Sequence, residues 1–260
     1  MRTASKPVAL VVVVVLSVVG GVAFAAAANK ESAIVGNVEF SAGGGFAPKA
    51  LSKTKQTPIA LTAEGKIKTV DGTHPPALKE VQIETDKNGS IQVKGYPTCK
   101  ASQLQSQDSA HAEAACKDAL IGTGTTTATV AFAESKEVQV PSKLLVFNGG
   151  EKGGVVTLYV HAYFSNPIPG AIVTTVKVKK IHKGRYGLLS VASIPTIAGG
   201  SGSVASFKLK IDKKYTYQGK KVSVLSAKCP DGKLQAHATG VFTDGTRIST
   251  EFVRTCTGKG

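Results

Sequence analysis

Ile172-Val173-Thr174-Thr175-Val176-Lys177-Val178-Lys179-Lys180-Ile181 alternates as a β-strand does. Val176 and Val178 fall on one face and Lys177 and Lys179 on the other, the period of two that a pleated backbone gives its side chains. The same pattern returns at Phe207-Lys208-Leu209-Lys210-Ile211 and in the strand that begins Leu78-Lys79-Glu80-Val81-Gln82-Ile83, and Val155 to Phe164 is a further strand. Lys233 to Phe242 and Thr246 to Val253 flank Asp244-Gly245, and Asn88-Gly89 follows the strand opened at Leu78. Both dipeptides predict hairpin turns of the kind that needs positive φ. With Val, Ile and Thr abundant, the expected fold is all-β and antiparallel. Ser109 to Leu120 alone reads as a helix, with Asp108 as its N-cap and Cys116 sharing a face with Ala112, Ala115 and Ala119.

Two sandwich-like lobes are expected, residues 29–148 and 155–260, divided at the Gly-rich stretch Asn148 to Gly154. The alternative is one continuous sandwich in which that stretch is a loop. A repeated phrase supports two lobes: Cys99 is followed after four residues by Leu104-Gln105, and Cys229 by Leu234-Gln235. At 260 residues and 42% hydrophobic, the chain is long and apolar enough for a substantial core, which excludes a disordered chain or a small disulfide knot.

Residues 1–28 carry the parts of a secretory signal: Arg2 and Lys6, an apolar run from Val8 to Val19, and small residues at Ala23, Ala25, Ala26 and Ala28. Cleavage after Ala25 or Ala28 is expected, giving a secreted or envelope-associated protein. An uncleaved anchor from Pro7 to Ala28 is the alternative. Four cysteines suit an oxidising compartment. The pairs Cys99–Cys116 and Cys229–Cys256 close the shortest loops and are the expected disulfides. No two cysteines and no two histidines have the spacing of zinc ligands, so no metal and no cofactor is expected.

The formal net charge is +15, and the excess is concentrated. Between residues 170 and 221, eleven cations face Asp212 as the sole acid. Lys177, Lys179, Lys180, Lys183, Arg185, Lys208, Lys210, Lys213 and Lys214 form the candidate binding set. If their strands are neighbours, they make one basic outer face suited to an anionic cell-envelope polymer or an anionic lipid surface. The competing account is that exposed strand lysines keep the chain soluble and block edge pairing. Sequence-specific nucleic acid is not an expected partner, because no recognition-helix motif is present.

No residue takes a catalytic role by spacing. Gly199-Gly200-Ser201-Gly202-Ser203 approaches a nucleophile elbow but fails at its last position, and no helix follows. Gly43-Gly44-Gly45 lacks the Lys-Ser/Thr of a phosphate loop. His161, inside a run apolar on both faces, reads as a hydrogen-bonded core residue. Asn88-Gly89-Ser90 matches the glycosylation sequon, but the turn already accounts for it.

Several phrases occur together: Asp71-Gly72-Thr73-His74-Pro75-Pro76-Ala77-Leu78-Lys79, Val146-Phe147-Asn148-Gly149-Gly150, Val160-His161-Ala162-Tyr163, the run from Ile194-Pro195 through Ser203, and Ala227-Lys228-Cys229-Pro230-Asp231-Gly232-Lys233-Leu234. In these the chain resembles a group of uncharacterised exported proteins of high-GC Gram-positive (actinobacterial) bacteria. The resemblance spans nearly the whole mature chain and implies secretion or envelope residence; no activity and no functional residue comes with it. The expectation is a non-enzymatic envelope or extracellular protein. A hydrolase with a site assembled around His161 or His237, and a structural matrix component, are the alternatives.

Overall fold

The computed structural model describes residues 30–132, 136–166 and 169–260. The signal segment 1–28 and its cleavage point lie outside the described residues. In chain order the strands are β1 (Glu31–Val35), β2 (Val38–Ala47), β3 (Ala50–Ser52), β4 (Thr57–Pro58), β5 (Ala60–Thr69), β6 (Leu78–Asp86), β7 (Gly89–Ile91) and β8 (Leu120–Val130). They continue with β9 (Val138–Lys152), β10 (Val155–Phe164), β11 (Gly170–Lys183), β12 (Tyr186–Ser193), β13 (Gly202–Ile211) and β14 (Lys214–Tyr217). The last are β15 (Lys220–Ser223), β16 (Leu225–Ala227), β17 (Lys233–Phe242), β18 (Arg247–Thr255) and β19 (Thr257–Lys259).

Twelve strands join one antiparallel sheet in the order β1-β2-β5-β13-β8-β9-β10-β11-β12-β6-β17-β18. Its two edge strands, β1 and β18, come together, so the sheet curls into a near-closed barrel. The all-β antiparallel expectation therefore holds, but the two halves do not separate into lobes. β13 pairs with β5 and β8, and β6 lies between β12 and β17, so strands from both halves interleave. Asn148 to Gly154, expected as the divider, is the end of β9 and its tight turn into β10. The repeated Cys-x4-Leu-Gln phrase marks no duplication either. Leu104 lies in the helical insert between β7 and β8, and Leu234 lies in a barrel strand.

The Asp244-Gly245 hairpin joins β17 to β18 as expected, with Gly245 at φ +89°. Asn88-Gly89 does not make a hairpin. After β6 the chain leaves the barrel, and β7 pairs with β16 instead. Asn88 is 5% exposed, with its amide donating to Asp86 Oδ1 at 2.9 Å, so the sequon asparagine is not displayed for glycosylation.

Both disulfides form as expected, Cys99–Cys116 and Cys229–Cys256. The first pins a lid against the outside of the barrel. Its helix α1 (Ser109–Ala115) is capped by Asp108, whose carboxylate accepts from the His111 N–H at 2.8 Å. It is shorter than the expected 109–120, because a 3-10 turn at Lys117–Ala119 follows and Leu120 already begins β8. Leu104, Ala112 and Ala119 pack on Leu145 and Phe147 of β9, with Tyr159 of β10 alongside. This lid is why the β10 run is apolar on both faces: one face looks into the barrel and the other lies beneath the helix.

The second disulfide sits in a plug across one barrel end. β7 and β4 flank β16, and β19 pairs in parallel with β3. Leu51, Ile59, Ala227, Cys229 and Cys256 form the plug's own core with Phe46.

Candidate functional site: the apolar interior of the barrel

Strand alternation sends one residue in two inward, and nearly all of the inward residues are apolar. Leu158, Val160, Ala162 and Phe164 of β10, Ile172, Val176 and Val178 of β11, and Leu188, Ala192 and Ile194 from β12 onward line a cavity of about 280 Å³. A second cavity of about 210 Å³ lies beside it, lined by Phe40, Ala42, Ala236, Ala238 and Phe252 among others. The two share Leu61, Ala63, Val81, Ile83, Leu188 and Phe207 as walls. Phe207 partitions them. Its ring lies across β5 at Gly65, where a Cβ would come within 2.4 Å of the ring.

The space follows from strand number. About eight strands make a barrel just wide enough for side chains to fill, and the diameter grows with each strand added. Twelve strands exceed what these side chains fill, many of them small: Ala63, Thr85, Thr126, Ala162, Thr174, Ser190 and Ala192. Val160, Ile172, Val176, Leu188, Ile194, Val204, Phe207 and Leu209 point inward yet are only half-buried, because their free surface faces the cavity. From Leu158 to Phe164 the wall runs ~20 Å along β10 at ~3.4 Å per residue. Outward positions are the opposite in character: Glu39, Lys66, Lys68, Lys177, Lys179, Lys208 and Lys210. A membrane-spanning barrel carries its apolar band outside and its polar lining inside, and this barrel is inverted relative to that.

The basic set lies elsewhere, and it divides. β11 and β13 are not neighbours; β8, β9 and β10 stand between them, so the single basic face expected from adjacency does not form. Lys177 donates to Thr157 Oγ1 at 2.9 Å, Lys183 pairs with Glu84 at 2.8 Å, and Lys210 with Asp212 at 2.5 Å. Lys213 reaches over the Tyr96 ring beside the plug, and Lys214 opens the β14–β15 hairpin. Lys179 and Lys180 are exposed on β11, as Lys208 is on β13. Beside β13, β5 adds Lys66 and Lys68, which no local pattern joins to β13 because about 140 residues separate the paired strands.

Arg185 is a structural residue. Its Nε donates to the buried Asp86 carboxylate at 2.6 Å, its Nη2 to the Lys233 carbonyl at 2.7 Å, and its fork pairs with Asp231. Its hydrogen bonds to Asp231 and then to Asp86 raise its pKa further above the ordinary guanidinium range. It clamps the β11–β12 turn to β6 and β17.

His161 and His237 do not meet, for β11, β12 and β6 separate their strands. His161 is fully buried beneath the lid, with Nε2 2.9 Å from the Gln107 carbonyl and Nδ1 without a partner. Burial pushes its pKa down. His237 lies on the outer face, Nδ1 3.1 Å from Glu84, whose carboxyl is held low chiefly by its hydrogen bond from Lys183.

A Ser–His–Glu chain went unread in the sequence, its members being 129 and 63 residues apart. Ser203 Oγ lies 3.0 Å from His74 Nε2, and His74 Nδ1 lies 2.6 Å from Glu137 Oε1. Ser203 is 1% exposed and donates to the Pro75 carbonyl at 2.7 Å. That carbonyl can only accept, so it takes the one hydroxyl proton a nucleophile would give to its histidine. The trio straps the loop 70–77 to the starts of β13 and β9. Among the described residues no group of three or more His, Cys, Asp or Glu could hold a metal ion.

Compared with protein-family models, with curated proteins and with solved structures, the chain matches none.

Proposed function

We propose that this is an exported, non-enzymatic binding protein whose barrel holds an apolar molecule of the acyl-chain class. The observation that carries this is the pair of apolar cavities inside a twelve-stranded barrel. Protein interiors close-pack to near-crystalline density. An enclosed apolar space of even 150 Å³ stays dry and accepts an apolar guest. The elongated and predominantly apolar wall, with Thr85, Thr126, Thr174 and Ser190 as the hydroxyl residues lining the first cavity, fits a flexible chain better than a polar metabolite, which needs placed hydrogen-bonding groups. Two disulfides fit an oxidising, extracellular setting, where water-insoluble chains need a carrier. The resemblance to exported proteins points the same way.

The test is direct. Protein purified with its disulfides intact is stripped of lipid and titrated with cis-parinaric acid, whose fluorescence rises in an apolar site. Saturable binding at one or two sites per chain, displaced by unlabelled long-chain amphiphiles, is expected. A linear, non-saturable response would sink the idea.

A further inference from the structure

The plug does not close its end of the barrel all the way round. On one side Val93, Tyr96 and Val224 pack with Ile121, Val146 and Ile211 of β8, β9 and β13. On the other, Leu51, Ile59 and Ala227 pack with Phe46 of β2. Between them, where β7 passes the ends of β10, β11 and β12, an open cavity of about 680 Å³ remains. Ile91, Val178 and Leu188 line both this vestibule and the first apolar cavity, so the two adjoin.

The inner wall changes character here. Register carries one row from Ser190 through Val178 and Val156 to Glu151, each directly opposite the next, and directly opposed residues share a face. Two residues further along β11, Lys180 stands opposite Leu188, again on the inner face. Val156 and Val178 are buried, yet Glu151 and Lys180 are exposed. Charged groups shut inside an apolar barrel would need partners; two exposed ones on an inner face mean that water enters the mouth as far as this row. Deeper in, Leu158, Val160 and Val176 continue the same wall. Lys87, Gln92 and His182 complete the vestibule's rim, which therefore carries both signs of charge and an amide. Such a rim suits a hydrated polar head and selects no single charge.

We propose that this gap is the mouth of the chamber, and that it holds the polar head of a single-chain amphiphile whose tail lies inward. This rests on the acyl-chain reading above. Burying the tail's methylenes in the dry chamber is favourable, whereas a head drawn past the Val156–Val178 row would lose its water and gain few partners. The chain therefore enters tail first and stops at its head. From Val156 to Phe164 the inner face of β10 is ~27 Å long at ~3.4 Å per residue, so the two ends of an extended chain lie far enough apart for a local probe to tell them apart.

The chain has no tryptophan, so Lys180→Trp places a sole indole at the mouth and Phe164→Trp places one at the far end of the same chamber. Bromine quenches indole fluorescence at close contact. 2-Bromohexadecanoate carries it beside the head and 16-bromohexadecanoate at the tail end, and displacement of cis-parinaric acid shows that each is bound. The 2-bromo acid is expected to quench Lys180→Trp while the 16-bromo acid leaves it unchanged, with the order reversed at Phe164→Trp. Lys87→Trp, at an exposed position on the rim, repeats the first readout without altering β11, so a folding failure of one variant does not decide the result. Equal quenching by both acids at the mouth, the reverse order there, or no quenching of either mouth variant by acids that do displace the probe overturns the mouth and leaves the chamber standing. If neither acid nor cis-parinaric acid binds the wild type, the chamber reading falls and this inference falls with it.

Discussion

Replacing Ala192 by Leu gives opposite signs for a filled core and for a chamber. Ala192 lies on β12 and faces the first cavity. The change adds three carbons, each stabilising by ~0.8 kcal/mol when buried. Fixing the leucine rotamer costs ~0.5–1 kcal/mol. In a chamber, the ligand-free protein should therefore gain about 1.5 kcal/mol. In a close-packed interior the same substitution forces strained rotamers and loses ~1–3 kcal/mol. Urea denaturation of lipid-stripped wild type and variant reads the sign. The ligand response should move the other way. A ligand at a hundred times its Kd stabilises the wild type by ~2.7 kcal/mol, and the variant should show less, since the added side chain occupies the tail's space. A ligand-free variant destabilised by 1 kcal/mol or more, with probe affinity unchanged, would refute the chamber.

Arg185→Ala should cost about 3 kcal/mol in denaturation, the low end for breaking a buried pair, because it takes the cation from the buried Asp86 carboxylate, which keeps only the N–H donors of Asn88 and Gln235; a loss below 1 kcal/mol would return Arg185 to the pool of surface cations. His161 has its pKa lowered by burial, so below about 6.5 the unfolded chain takes up a proton that the folded chain resists, and stability falls as pH drops from 7.5. His161→Gln, which can still donate to the Gln107 carbonyl, should flatten that slope, and an unchanged slope would assign it to other groups. Phe207→Ala removes the partition between the chambers. Because the ring already borders empty space, the loss should stay below the ~3–5 kcal/mol of a fully packed phenylalanine, and displacement assays should show a shift toward longer or branched chains.

Much of the framework is local and was therefore legible in the sequence. Alternation at 172–181, 207–211 and 233–242 marks strands because a pleated backbone forces successive side chains to opposite faces. Asp244-Gly245 marks its turn because glycine accepts positive φ without strain. Asp108 caps its helix through a contact three residues away, and the shortest loops gave both disulfides. Asn88-Gly89 misled because turn chemistry specifies a bend, while the partner of the next strand is chosen elsewhere; here it was β16, more than 130 residues on.

Tertiary structure decided the rest, because each remaining question concerned which strand lies beside which. Alternation placed Lys177 and Lys208 on outer faces, yet only the sheet order parted them. It placed Phe207, Leu209 and Ile211 on the apolar face of a strand whose pattern would serve a filled sandwich as well as a hollow barrel. What distinguishes the two is the number of strands in one closed sheet. Circumference grows with strand number while side-chain reach does not, so the cavity is a property of the closure and of no single residue in it.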